Sequence, residues 1–108
     1  MESTRRILET KMNLQVLNIS PIKHSHTFQV VIIGLTQQKF TMTVETDYIN
    51  NQPLQIIQGD DHFHTFFQWH RELAEKVYEL VHQVYNQEKL DFPISLGEFS
   101  ELIEPATT

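Results

Sequence analysis

The feature that most constrains this chain is the stretch 61–87. Its apolar residues recur with helical period. At about 100° per residue, the apolar positions from Phe63 to Tyr85 fill an arc of roughly 180°, running from Trp69 round to Tyr78. Gln68, Arg71, Glu72, Glu75, Glu79, His82 and Gln83 occupy the other half. Gly59-Asp60-Asp61 supplies a start signal, since either aspartate can cap and both favour the positive end of the helix dipole. Thr65 with Gln68 forms a competing capping box one turn later. Glu72 and Lys76 stand at the favourable i,i+4 spacing. The pattern predicts one long helix, 61–87, whose apolar half-cylinder needs a second layer.

The residues before it supply that layer. From 7 to 19, Leu8, Met12, Leu14 and Val16 share one parity, while Glu9, Lys11, Asn13 and Gln15 share the other, the period-2 pattern of a half-buried strand. Leu17 and Ile19 break the parity, which predicts a bulge or a twist near the strand end, and Ser20-Pro21 closes it. In the stretch 27–35, Phe28, Val30 and Ile32 point one way and Val31, Ile33 and Leu35 the other. Apolar residues on both faces mark a central strand, or one whose outer face meets a partner. In 39–46, Phe40, Met42 and Val44 alternate with Thr41, Thr43 and Glu45. A short fourth strand is allowed at 54–58, with Pro53 at its edge. Beyond the helix, 91–104 reads as an extended segment followed by a short helix. Ser95 and Glu98 make a capping box, Phe99, Leu102 and Ile103 follow at i, i+3, i+4, and Pro105 stops it. The expected fold is therefore α+β: a three- or four-stranded antiparallel meander with one long amphipathic helix on one face and a short C-terminal helix. The 108 residues make one domain, 1–108.

Composition excludes several functions. Fourteen acidic residues against eight Lys and Arg give a net charge of −6, and no basic cluster exceeds Arg5-Arg6. A surface that tracks phosphates needs a concentrated basic stripe, so no nucleic-acid partner is expected. Zero cysteines remove disulfides and thiolate chemistry and fit a reducing compartment. No apolar run approaches the roughly twenty residues of a membrane helix, and the polar start of the chain offers no leader. The expectation is a cytoplasmic protein without a membrane partner.

Motifs for catalysis are missing. There is no GxSxG, no phosphate loop, no GxGxxG and no HExxH, and Gly34, Gly59 and Gly97 are too separated to cradle a phosphate. The chain is not expected to be an enzyme or to carry a cofactor. His24/His26 and His62/His64 have His-x-His spacing, which places two imidazoles on one face of a strand but about 200° apart on a helix. They are the candidates for a metal, and a His-dependent metalloenzyme is the third reading of the chain. His70 falls in the middle of the apolar arc, where it is either a hydrogen-bonded structural histidine or a ligand-contacting group. With Phe66, Phe67 and Trp69 it defines the second reading, a small apolar ligand held between sheet and helix.

The first reading is a protein-interaction module: an adaptor, regulator or assembly factor that associates with itself and with another protein. Its basis is an excess of apolar surface. A helix over 61–87 is about 40 Å long at 1.5 Å per residue. Strands of about eight residues cover about 27 Å of it, so Val81, Val84 and Tyr85 overhang. Either the segment with Phe92, Ile94, Phe99, Leu102 and Ile103 folds back over them, or a second chain covers them. The expected interaction surface is Val31, Ile33, Leu35, Trp69, Tyr78, Val81, Val84, Tyr85, Phe99, Leu102 and Ile103.

Overall fold

The computed structural model of the chain describes residues 8–23 and 26–103, with side chains described between residues 11 and 100. The elements follow in the order β1 (Leu8–Pro21), β2 (Thr27–Ile33), β3 (Gln37–Ile49), β4 (Gln52–Gly59), α1 (Asp61–Phe66), α2 (Arg71–Tyr85) and β5 (Ile94–Ile103). All five strands form one antiparallel sheet in the order β4-β3-β2-β1-β5. Two expectations are overturned. The sheet has five strands rather than three or four, because the stretch 91–104, read as an extended segment followed by a short helix, contains β5 (Ile94–Ile103) and no helix among its described residues. The helix over 61–87 is two helices, separated at Phe67–His70.

The alternation read in the strands places the core. Leu14, Val16, Phe28, Val30, Ile32, Phe40, Met42 and Val44 are buried on the face that carries the helices. Phe28 stands opposite Met42, and Val30 opposite Phe40, the cross-strand pairs of large and β-branched side chains that stabilise a sheet. The bulge occurs where the parity breaks. Between Val16 and Asn18 the register of β1 on β2 slips by one residue. Leu17 is the extra residue, and Ile19 is thereby returned to the core.

β5 is held by β1 across an antiparallel register from Leu8↔Ile103 to Val16↔Ile94. It has a bulge of its own, opposite Leu14 and Gln15. There Gly97 has φ 129°, a conformation that a Cβ would disfavour, and the bulge turns Leu96 into the core. Phe99 follows it inward, against Met12. This strand is what the long apolar helix face needed, and it comes from the same chain.

The helix break has local and tertiary components. Asp60 caps α1, its Oδ1 accepting the Phe63 N–H at 2.8 Å, while its Oδ2 accepts the Thr41 N–H of β3 at 2.9 Å. One carboxylate thus fixes where the chain leaves the sheet. α1 lasts under two turns. His70, at φ −134° and ψ 62°, redirects the chain, and its carbonyl accepts the first N–H groups of α2, from Leu73 and Ala74. α2 buries Leu73, Ala74, Val77 and Val81. It ends in a Schellman motif: Glu88 N–H reaches Gln83 O and Gln87 N–H reaches Val84 O, both at 3.0 Å. Gln87 occupies the left-handed position that glycine commonly takes.

Candidate interaction site

The β3–β4 hairpin extends past the helices. Asn50 and Asn51, with φ 53° and 63°, form a two-residue loop between the paired residues Ile49 and Gln52. Positive φ at both positions defines the type I′ turn, whose twist matches the strands it joins. Every residue from Glu45 to Gln55 is exposed, including Tyr48 at 68%, Ile49 at 54% and Leu54 at 47%.

The register of this hairpin sets which backbone groups are available. In a two-residue hairpin the residues flanking the loop exchange hydrogen bonds, and hydrogen-bonded pairs then alternate with non-bonded ones. Gln52, Leu54, Ile56 and Gln58 therefore spend their backbone groups on β3. The same alternation appears at the strand's far end, where Asp60 N–H donates to Thr41 O at 3.0 Å. Pro53, Gln55, Ile57 and Gly59 turn theirs outward, and β4 is an edge of the sheet. Pro53 has no N–H to offer, a residue type suited to an edge. Gln55 and Ile57 each present a donor and an acceptor.

The two edges of the sheet differ. β5 carries Glu98 and Glu101 and is interrupted by its bulge. Charges and bulges are devices that keep sheet edges from pairing. β4, Gln52–Gly59, has no charged residue and runs in unbroken register along β3. Its only guard is Pro53. Leu54 and Ile56 face the open side of the sheet. Gln55 faces the helices, where its Oε1 accepts from His82 Nε2 at 2.6 Å.

The residues expected to form an interaction surface do not gather. Val81 and Phe99 are core residues, buried against the sheet and the aromatic cluster. Tyr78, Val84 and Tyr85 are half-buried and pack on that core, with the Tyr85 ring edge-on to Phe28 of β2 at the end of α2. Val31 and Ile33 lie half-buried on the open sheet face. Polar neighbours surround them there: Asn18 and Lys39 across from Val31, Gln15 and Gln37 across from Ile33. Leu35 is exposed in the β2–β3 turn. The side chains of Leu102 and Ile103 lie outside the described residues.

The expected ligand pocket is divided. Phe67 is buried, and Phe66 stacks on Phe99 with ring centres 4.8 Å apart and planes 7° from parallel. Both belong to a cluster around Phe40, whose ring lies 5.4–5.8 Å from those of Phe63, Phe66 and Phe67. Trp69 points away from it and is 83% exposed. The break at 67–70 removes it from the arc that an unbroken helix would have given it. His70 is half-buried on Phe99, with ring centres 4.2 Å apart, and its Nε2–H donates to the Ser100 carbonyl at 2.7 Å. This is the hydrogen bond that the structural alternative calls for. A shallow groove of about 430 Å³ beside Trp69 and His70 is lined by Arg71, Glu72, Lys76 and Glu98 as well, a charged wall rather than an apolar one.

His62 lies over Phe40, 4.8 Å between ring centres, and its Nε2 pairs with Gln38 Oε1 at 2.8 Å. His64 is exposed one residue beyond Phe63, on the opposite side of α1. His24 lies outside the described residues and His26 is exposed. Among the described residues no three His, Asp or Glu side chains gather to hold a metal ion. Among them, too, no helix is long and apolar enough to cross a membrane. The edge strand was legible only indirectly. It is the short strand allowed at 54–58, which the structure extends to Gln52–Gly59, with Asn50-Asn51 as the turn before it.

Comparison with protein-family models, with curated proteins and with solved structures finds no match to this chain.

Proposed function

We propose that the protein is a protein-interaction module that binds through the β3–β4 hairpin, adding an extended strand of its partner to the free edge of β4. The observation that carries this reading is the contrast between the two sheet edges: β5 is bulged and acidic, and β4 is regular, uncharged and open. Strand addition draws its affinity from main-chain hydrogen bonds and its selectivity from alternate side chains. Gln55 and Ile57 supply the first. Leu54 and Ile56 on the open face, with Tyr48 and Ile49 near the tip, supply the second. The role is adaptor-like, and no step of chemistry is assigned to it.

The test is retention from the native cell extract on immobilised protein, comparing wild type with Gln55→Pro. The substitution removes one outward N–H and leaves the β3–β4 ladder intact, because residue 55 makes no backbone bond to β3. A protein held by the wild type and lost by Gln55→Pro supports the reading. Identical retention by both, with both folded by circular dichroism, refutes it.

A further inference from the structure

We infer that the strand occupying this edge is β4 of a second copy, so that two five-stranded sheets join into one of ten across a two-fold axis. The inference rests on reading β4 as the binding edge and adds the identity of the occupant. Charge is the first argument. The chain carries a net −6, so a second copy is repelled from most of its surface, and a partner chosen by charge would be basic. β4 has no charge with which to choose. Its complement is a neutral strand of similar length, and β4 itself fits that description.

Geometry is the second argument. Antiparallel pairing about an axis through Ile56 sets Gln55 of each copy opposite Ile57 of the other. Each of those residues has both groups free, so the two pairs exchange four backbone hydrogen bonds. Pro53 then faces Gly59 of the other copy, and its carbonyl still accepts. The two hairpin tips point in opposite directions. Beside the axis, the two Glu45 residues, one from each copy, sit one strand in from the junction. Three strand spacings of about 4.8 Å separate them by about 14 Å, beyond the screening length of about 8 Å at physiological ionic strength. On the open face Leu54, Ile56 and their counterparts form one apolar strip across the junction, which isologous pairing makes self-complementary.

The experiment is light scattering on the untagged full chain from low to several hundred micromolar, for wild type and for Leu54→Lys with Ile56→Lys. Those positions stand opposite Asp47 and Glu45, so the new cations gain cross-strand partners within their own chain, and position 56 meets its own like charge across the junction. The expected result is a wild-type mass rising to twice the 12.8 kDa protomer, with the double variant staying at protomer mass with wild-type circular dichroism. A second variant, Gln55→Pro, is expected to shift the dimer midpoint at least tenfold to higher concentration. A wild-type mass that stays at the protomer value overturns the second-copy assignment, and so does a dimer unaffected by both variants. If the wild type is monomeric yet the extract still yields a protein lost by Gln55→Pro, the edge binds a different chain and only the present inference falls. If both experiments fail, the edge itself is misread.

Discussion

His70 Nε2 lies 2.7 Å from the backbone carbonyl of Ser100, so the residue that parts the two helices also ties them to the last strand. Because a carbonyl can only accept, the ring must carry its proton on Nε2. His70→Phe keeps an aromatic face against Phe99 but leaves the Ser100 oxygen without its donor. A half-buried acceptor left unpaired costs about 1–3 kcal/mol. Urea unfolding is expected to show a loss in that range, and a variant as stable as wild type would mean that water replaces the donor without cost.

Asp60 joins sheet and helix through its two carboxylate oxygens, one on Thr41 N–H and one on Phe63 N–H. Loss of an N-cap alone costs about 0.5–2 kcal/mol, and Asp60→Ala removes the second bond as well. Asp60→Ala is expected to destabilise at the top of that range or beyond it. Asp60→Asn retains one acceptor oxygen and should recover the Phe63 cap. Equal losses in the two variants would show that the oxygen on Thr41 dominates.

Trp69 touches none of the aromatic rings that surround Phe40, and it is the most exposed large apolar side chain among the described residues. Trp69→Ala should leave stability within about ±0.5 kcal/mol of wild type, as surface substitutions usually do. The sole tryptophan of the chain should also be quenched efficiently by acrylamide in the native protein. Strong shielding from the quencher would show that something covers this position in solution.

Tyr78 gives the fold an alkaline limit. Burial raises its phenol above the usual value of 10.0, so the folded state disfavours the phenolate. Below the unfolded value both states keep the proton and the contribution is complete. As pH rises past 10 the unfolded chain ionises first, and stability is lost until the folded pKa is passed. Tyr78→Phe cannot ionise. Between about pH 9 and about pH 11, spanning the unperturbed tyrosine value, the urea midpoint of wild type should fall more steeply than that of the variant. Parallel curves would contradict this.

The strands were legible where partners are close in sequence. Phe40, Met42 and Val44 alternate cleanly because β3 has one covered face and one open face. The parity break at Leu17 announced its bulge for the same reason. β5 was hidden because its hydrogen bonds go to β1, 78 to 95 residues away, and because the bulge at Gly97 scrambles its alternation. What remains, Phe99, Leu102 and Ile103 behind a Ser95–Glu98 box, imitates a helix. The break at Phe67–His70 was equally hidden. Phe67-Gln68-Trp69-His70 contains no glycine or proline, and the apolar period runs on through it. The His70–Ser100 bond and the fit of four phenylalanine rings act there, and both are tertiary. The edge of β4 depends on which strands lie beside it, a property of topology that no local pattern carries.

The burial of Val81 decides between the two covers that the long apolar helix allowed. Val81 and Val84 sit in the last two turns of α2 (Arg71–Tyr85), where an overhanging helix would have offered them to a second chain. In the folded chain Val81 is fully buried, and Val84 is half-buried against the same core. Two features remove the overhang. α2 has only fifteen residues, about 22 Å at 1.5 Å per residue, and Phe28 and Pro21 lie beside Val84 and Tyr85 at its end. A carboxylate at position 81 would lose its hydration with no cation beside it, and an uncompensated buried charge costs several kcal/mol. A domain of this size has only about 5–15 kcal/mol in total, and a second glutamate at position 84 adds to the loss. Val81→Glu with Val84→Glu is therefore expected to give an unfolded chain, with the cooperative thermal transition gone from circular dichroism. A folded, monomeric double variant would place this end of α2 at an interface.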